Sequence, residues 1–201
     1  MSTTTENPPA VRNEVKPLKV EEAKEIAQYY NAPQSLVNMY WCDFAGVAYP
    51  KIAFLLDRAH KRGIQSIDAK IIKDASTDEW IAEVSIHPGV SRGLMEALAK
   101  IPNESERLKY WEYMTKATTA TGRASKNNVR MSTMQQWLPE MAVKRGLARA
   151  CRLFAGIGST AYEELPEAEI PKKELEETSE VLKSAKKVGS GPADMSQVKL
   201  A

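Results

Sequence analysis

The chain has 201 residues with 28 Lys and Arg against 26 Asp and Glu, a formal net charge of +2, and 43% of its residues are hydrophobic. That length and apolar content suit one domain with a filled core and exclude a chain too polar to fold. The small net charge excludes a basic surface spread over the whole molecule, so any such surface has to be local.

Residues 1–18 are polar, contain prolines and show no period, which predicts a flexible arm. Order is expected to begin with the helix VEEAKEIAQYY and to break at Pro33, which removes a donor and disfavours helix at the residue before it. The aromatic and β-branched stretch LVNMYWCDFAGVAYP, interrupted by Gly46, predicts a short strand, a turn and a second extended piece. In KIAFLLDRAHKRG the residues Ile52, Leu55, Leu56 and Ala59 share a helix face, with Gly63 as C-cap. Next, Ile67, Ala69 and Ile71 alternate with Asp68 and Lys70, and Trp80, Ala82, Val84 and Ile86 alternate with Glu83 and Ser85. With DASTD as the turn, these runs predict an antiparallel hairpin.

The segment GLMEALAKIPNESERL reads as a helix that breaks at Pro102 and restarts from Asn103 or Ser105. YWEYMTKATTATGR admits two readings, a continued helix or a strand with Trp111, Tyr113, Thr115 and Ala117 on one side. Its Thr-rich end and Gly122 favour the strand. After the loop RASKNN comes MSTMQQWLPEMAVKRGLARACRLFAG, a long helix around Pro139 in one or two segments, ended by Gly156 and Gly158. Beyond Pro166 the composition turns to Glu, Lys, Ser and Pro. KKELEETSEVLKSAKK is at most a marginal isolated helix, and residues 167–201 are expected to form a disordered charged tail. The core then spans 19–166, an α+β fold in which a twisted antiparallel sheet, the hairpin plus further strands, packs on a long basic amphipathic helix.

That helix carries the functional signal. Val143, Leu147, Ala150, Cys151 and Phe154 follow the spacing of a core-facing stripe, while Arg145, Arg149 and Arg152 fall on the far side. Three guanidinium groups about one turn apart match phosphate oxygens along a nucleic-acid backbone. Between Lys109 and Arg152 the acidic residues are only Glu112 and Glu140, against Lys109, Lys116, Arg123, Lys126, Arg130, Lys144, Arg145, Arg149 and Arg152. A charged outer face is also what any surface helix carries, so an ordinary solvated face is the competing reading.

The stretch LARACRLFAGIGSTAYEEL resembles the Leu-x-Arg-Ala-x-Arg helix turn and following small-residue segment of the single-strand annealing proteins related to eukaryotic Rad-fifty-two and the phage Sak proteins. The aromatic-Gly-aromatic segment WCDFAGVAY before a helix, the Gly-Arg-Ala-Ser-x-Asn-Asn loop before the long helix, and the element order add to the resemblance, which covers Ser35 to Leu165. It implies rings or filaments of many copies whose basic groove holds single-stranded DNA and anneals complementary strands without nucleotide hydrolysis, in recombination, repair or replication. The two motif arginines map onto Arg149 and Arg152, which would face the DNA backbone. Ala148 stands where some members carry a lysine, and Arg145, one turn earlier, can compensate. Arg123, Lys126, Arg130 and Lys144 complete the candidate DNA-binding set. Trp41, Tyr49 and Trp111 are candidates for stacking on bases, although aromatic residues at strand positions more often fill a core.

No cofactor, metal or catalytic residue is expected. GIGST lacks the lysine of a phosphate-binding loop and follows a helix instead of leading into one. Asp68, Asp74, Asp78, Glu79 and Glu83 invite comparison with a metal-dependent nuclease, but turn and strand positions account for all five. His60 and His87 have no second ligand at zinc spacing, and Ser159 lacks a nucleophile elbow. The two cysteines, Cys42 and Cys151, fit a reducing compartment, and the N-terminal residues carry no apolar signal core. The expectation is a cytoplasmic protein that binds single-stranded DNA as a homo-oligomer, with the tail available to a protein partner. A DNA-coating protein without annealing activity, or a scaffold whose basic face meets an acidic protein, would carry the same basic helix.

Overall fold

A computed structural model describes residues 15–166, 168–188 and 196–200. They form two antiparallel sheets joined and covered by helices. The smaller sheet orders strands β1 (Val15–Lys16), β2 (Trp41–Phe44) and β3 (Val47–Pro50) side by side. The larger has the order β6-β5-β4-β7, built from β4 (Ile64–Asp74), β5 (Glu79–Pro88), β6 (Thr118–Ala124) and β7 (Ser196–Leu200). Of the arm expected to be flexible, residues 1–14 lie outside the described residues. Val15 and Lys16 instead pair with Phe44 and Asp43, and Leu18 is buried.

Helix α1 (Val20–Tyr29) begins with Glu21 and Glu22 in its first turn, where carboxylates favour the helix N-terminus. The LVNMY stretch, expected to be extended, is helical: α2 spans Gln34–Tyr40. Helix α1 closes before Pro33, with Asn31 at positive φ and Ala32 N donating to Ala27 O at 2.9 Å, and Pro33 instead starts α2: its fixed φ suits the cap position and its carbonyl accepts from Leu36 N at 2.9 Å. The chain then turns between β2 and β3 through Ala45 and Gly46, both at positive φ, with Asp43 Oδ1 accepting from Gly46 N at 2.8 Å. Helix α3 (Ile52–Arg62) follows, closed by Gly63 in the left-handed region as its spacing predicts.

The hairpin of β4 and β5 has the predicted alternation, with Ile67 opposite Ile86, Ala69 opposite Val84 and Ile71 opposite Ala82, all six buried. Asp74 shapes its turn by accepting from Ser76 N, Ser76 Oγ and Thr77 Oγ1 at 2.9, 2.6 and 2.9 Å. Between β5 and β6 a helical hairpin is inserted, α4 (Arg92–Ala99) and α5 (Glu104–Thr115). Asn103 caps α5 by accepting from Glu106 N at 3.1 Å, and the helix runs on through Trp111 and Tyr113, so the strand starts later than the Thr-rich pattern suggested.

The predicted long helix has two segments, a 3-10 turn at Ser132–Trp137 and α6 at Leu138–Ala155. Gly122 on β6 lets α6 lie on the sheet: a Cβ there would fall 2.0 Å from Ala142 O and 2.2 Å from Gly146 N. Gly146 answers it, since its own Cβ would meet Val84 Cγ2 at 2.8 Å. Backbone therefore touches backbone between α6 and β6.

The stretch after Pro166 is not a disordered tail where it is described. Helix α7 (Lys172–Val188) carries Leu175, Thr178 and Leu182 at three- and four-residue spacing, all buried, behind a buried Ile170. A helix too polar to stand alone is stabilised because Leu175 and Leu182 join the main hydrophobic core, with α6 and a further strand as neighbours. Strand β7 then adds to the edge of β4, Ala69 opposite Val198. The remainder of the predicted tail, residues 167, 189–195 and 201, lies outside the described residues. No helix among the described residues is long and apolar enough to cross a membrane.

Candidate nucleic-acid interface

Helix α6 lies inside the molecule, with positions on every side of it buried. The arginines that sequence spacing puts on an outer face are engaged within the molecule, Arg145 and Arg149 by backbone carbonyls and Arg149 and Arg152 by a carboxylate. Arg145, 5% exposed, donates through Nη1 to Arg123 O at 2.8 Å and Asn128 Oδ1 at 2.9 Å, and through Nη2 to Asn128 O at 3.0 Å and Leu165 O at 3.1 Å. A planar fork of donors suits this cluster of carbonyls, where a lysine would satisfy fewer of them. Asn128 is the hub of the loop after β6: its Oδ1 also accepts from Ser125 N at 2.9 Å, and its Nδ2 donates to Glu79 at 3.0 Å.

Arg149 donates to Thr121 O at 2.8 Å and to Glu164 Oε2 at 2.9 Å, and its side chain stays 44% exposed. Arg152 donates to Glu164 Oε1 at 2.7 Å and is 19% exposed. Glu164 belongs to a 3-10 turn, Tyr162–Glu164, and its side chain is 2% exposed. Burial works against its charge, but hydrogen bonds from Arg152, Ala161 N–H and Arg149 outweigh it and hold the carboxyl below the ordinary range. Arg145 and Arg149 thus serve carbonyls of β6, an outer strand of the sheet, while Arg149 and Arg152 hold the chain that leaves α6. Lys144 faces α7, its Nζ 3.1 Å from Glu174 Oε2.

Of the candidate cations, the most exposed lie on and after β6. Arg123 is 63% exposed and 3.5 Å from Glu79 Oε2, and Lys126 and Arg130 are exposed in the loop and just beyond it. Lys126 also acts on Asp78, whose carboxyl is held below its ordinary range first by a hydrogen bond from Lys73 and then by the charges of Lys73 and Lys126. Arg123, Lys126 and Arg130 are thus exposed at the end of β6 and in the chain that follows it, while half-exposed Arg149 donates to the middle of the same strand at Thr121 O. The structure places Arg145, Arg152 and Lys144 in the framework beneath or beside them.

The aromatic candidates divide in the same way. Trp41 is core, its ring 5.3 Å from that of Phe54 and 5.4 Å from that of Tyr30, and Tyr49 and Trp111 are half-buried. Exposed rings are Tyr29 on α1 and, on α5, Tyr110 and Tyr113, which line an open groove of about 700 Å³ with Asn103, Ser105, Glu106 and Lys109.

Four of the five carboxylates considered for a nuclease are engaged separately, Asp68 with His87 at 3.0 Å, Asp74 in its turn, Asp78 with Lys73, and Glu79 with Asn128 and Arg123, and Glu83 is exposed on β5. No group of three or more His, Cys, Asp or Glu among the described residues converges as a metal site. Burial pushes the thiols of Cys42 and Cys151 up to about 11 and about 12, so both are neutral near pH 7. No protein-family model, curated protein or solved structure matches the chain. Sequence reasoning missed Asn128 and Glu164, the two residues that organise the arginines. Asn128 lay within the quoted loop, whereas nothing in the spacing between Arg152 and Glu164 marks them as partners.

Proposed function

We propose that the chain binds single-stranded DNA and anneals complementary strands without nucleotide hydrolysis, working as a homo-oligomer in the cytoplasm. The observation that carries this reading is the exposure of Arg123, Lys126 and Arg130 on and beside a loop that Arg145 ties down, with half-exposed Arg149 on the middle of the strand that leads into it. Fixed cations on a rigid backbone neutralise phosphates and release counterions, at little conformational cost on binding. Base pairing supplies the specificity, so the protein has only to hold one strand extended and its base edges open. The resemblance of LARACRLFAGIGSTAYEEL supports the same reading.

The test is annealing of two complementary labelled oligonucleotides without ATP, with binding to single and double strands titrated across salt. Acceleration with a preference for single strands is the expected result. Binding without acceleration would make the protein a coating protein. A protein-scaffold role is the second reading, favoured by exposed apolar side chains on the α4–α5 hairpin, among them Met95, Leu108 and Met114. Absence of any DNA binding at low salt would support it over the first.

A further inference from the structure

Glu79 opens β5, opposite Asp74 in the hairpin register. It stands two residues before Ile81, which pairs with Arg123 on β6, so Glu79 and Arg123 are diagonal neighbours on one face of the sheet. The two carboxylate oxygens have different partners. Oε1 accepts from Asn128 Nδ2 at 3.0 Å, and Oε2 lies 3.5 Å from Nη1 of Arg123. Asn128 is itself held in place: its Oδ1 accepts from Ser125 N and from Arg145 Nη1, both at 2.9 Å, and its carbonyl accepts from Arg145 Nη2 at 3.0 Å. A connected run of hydrogen bonds thus leads from buried Arg145 through Asn128 to Glu79 and ends at an exposed cation. The Glu79 side chain is 16% exposed and that of Arg123 63%, so the carboxylate is pinned while the guanidinium can turn to another anion.

A carboxylate fixed beneath an exposed arginine offers it the same kind of charged oxygen acceptor as a phosphate does. We propose that Glu79 is a built-in substitute for a DNA phosphate: it occupies Arg123 in the free chain, and an arriving phosphate takes the guanidinium from it. The inference rests on the DNA-binding reading and names what regulates affinity at that site. Arg123 exchanges one anion for another, so its net contribution to binding is reduced by the strength of its hold on Glu79. Asn128 keeps the carboxylate from following. Asp78, the neighbouring carboxylate, is not equivalent, because it is exposed and its charge is met by Lys73 at 2.9 Å.

The test is titration of a labelled single-stranded oligonucleotide with the full chain at about 0.05 M salt, where charges are weakly screened. Wild type, Glu79→Gln, Arg123→Ala and the double variant are compared. Glu79→Gln keeps an oxygen acceptor for Asn128 Nδ2 and removes the charge. Its affinity should rise about fivefold, the size of one released ion pair, with an unchanged salt slope because the same phosphates are neutralised. In the Arg123→Ala background the same change should gain less than about twofold, since there is no guanidinium left to release. In the wild-type chain the side-chain carboxyl carbon resonance of Glu79 should move as the oligonucleotide is added and the guanidinium leaves. Unchanged affinity in Glu79→Gln, the full gain retained without Arg123, or an unmoved Glu79 resonance in the saturated complex would overturn the proposal. A wild-type chain that binds no DNA at this salt would overturn the DNA-binding reading, and the proposal with it.

Discussion

The junction of α6 with the β4–β5–β6 sheet and the α4–α5 hairpin use their apolar side chains in opposite ways. At the junction, Gly122 and Gly146 bring helix and strand backbones together, and Met141, Ala142, Val143, Ala148 and Ala150 are buried. In the hairpin Leu98 is the only buried residue of α4, and α5 has none. Both regions contain large apolar side chains, so hydrophobic content does not separate them. The difference is whether each apolar face has a neighbour that fits it. Stability should therefore concentrate at the junction, and substitutions in the hairpin should act on what the molecule touches more than on whether it folds.

The comparison is broken most severely by adding atoms where the backbones meet. Gly122→Val places a side chain against Ala142 O and Gly146 N, which no rotamer can relieve, and should cost more than about 3 kcal/mol or prevent folding. Gly93→Ala in α4 meets nothing within 4 Å and should stabilise by about 0.5–1 kcal/mol. Urea midpoints of the two variants test both, and equal effects would sink the distinction. Replacing Arg149 and Arg152 together with alanine leaves the buried Glu164 without its cations. A loss of about 3–5 kcal/mol is expected, so this pair does not separate DNA binding from folding.

A sharper probe within the framework is Glu163. Burial, opposed by a hydrogen bond from Ile52 N, pushes its carboxyl up to about 7 in the folded chain against an ordinary value of 4.5. Between those values the folded state holds a proton that the unfolded state has released, so stability falls as pH rises from 4.5 to 7 and then levels off. Glu163→Gln removes that fall. It should match the wild type near pH 4 and exceed it by about 3 kcal/mol near pH 8. Thermal or urea unfolding at the two pH values measures the difference, and a pH-independent offset would show that Glu163 does not titrate as described.

The legible parts of the fold were those where one period dominates. Alternation in β4 and β5 showed the hairpin with its facing pairs, and Ile52, Leu55 and Ala59 showed the buried face of α3. Pro33 was read for the helix before it and not for the one it begins. In α7 the charged majority obscured Leu175, Thr178 and Leu182, whose spacing has meaning only beside α6. The arginines show the limit most clearly. Periodicity put them opposite the apolar stripe, but not under cover, because the covering pieces are a short loop and a 3-10 turn with no period of their own.

The smallest expected change in stability then gives the most direct test of function. Arg123 and Lys126 are exposed, and neither side chain supports buried structure beyond the 3.5 Å approach of Arg123 to Glu79. Replacing both with alanine should shift stability by no more than about 0.5 kcal/mol. If each contacts a phosphate, the slope of log affinity against log salt for single-stranded DNA should drop by about 1.4 in magnitude, with binding weakened for every sequence alike. Leu108→Ser with Tyr113→Ser supplies the matched change in the hairpin, on exposed side chains of α5. That pair should leave both stability and affinity near the wild type if the cations around β6 hold the strand. Affinity lost in the hairpin pair at every salt concentration, with both affinity and slope untouched in the loop pair, would move the DNA contact to the tyrosines of α5 and away from β6.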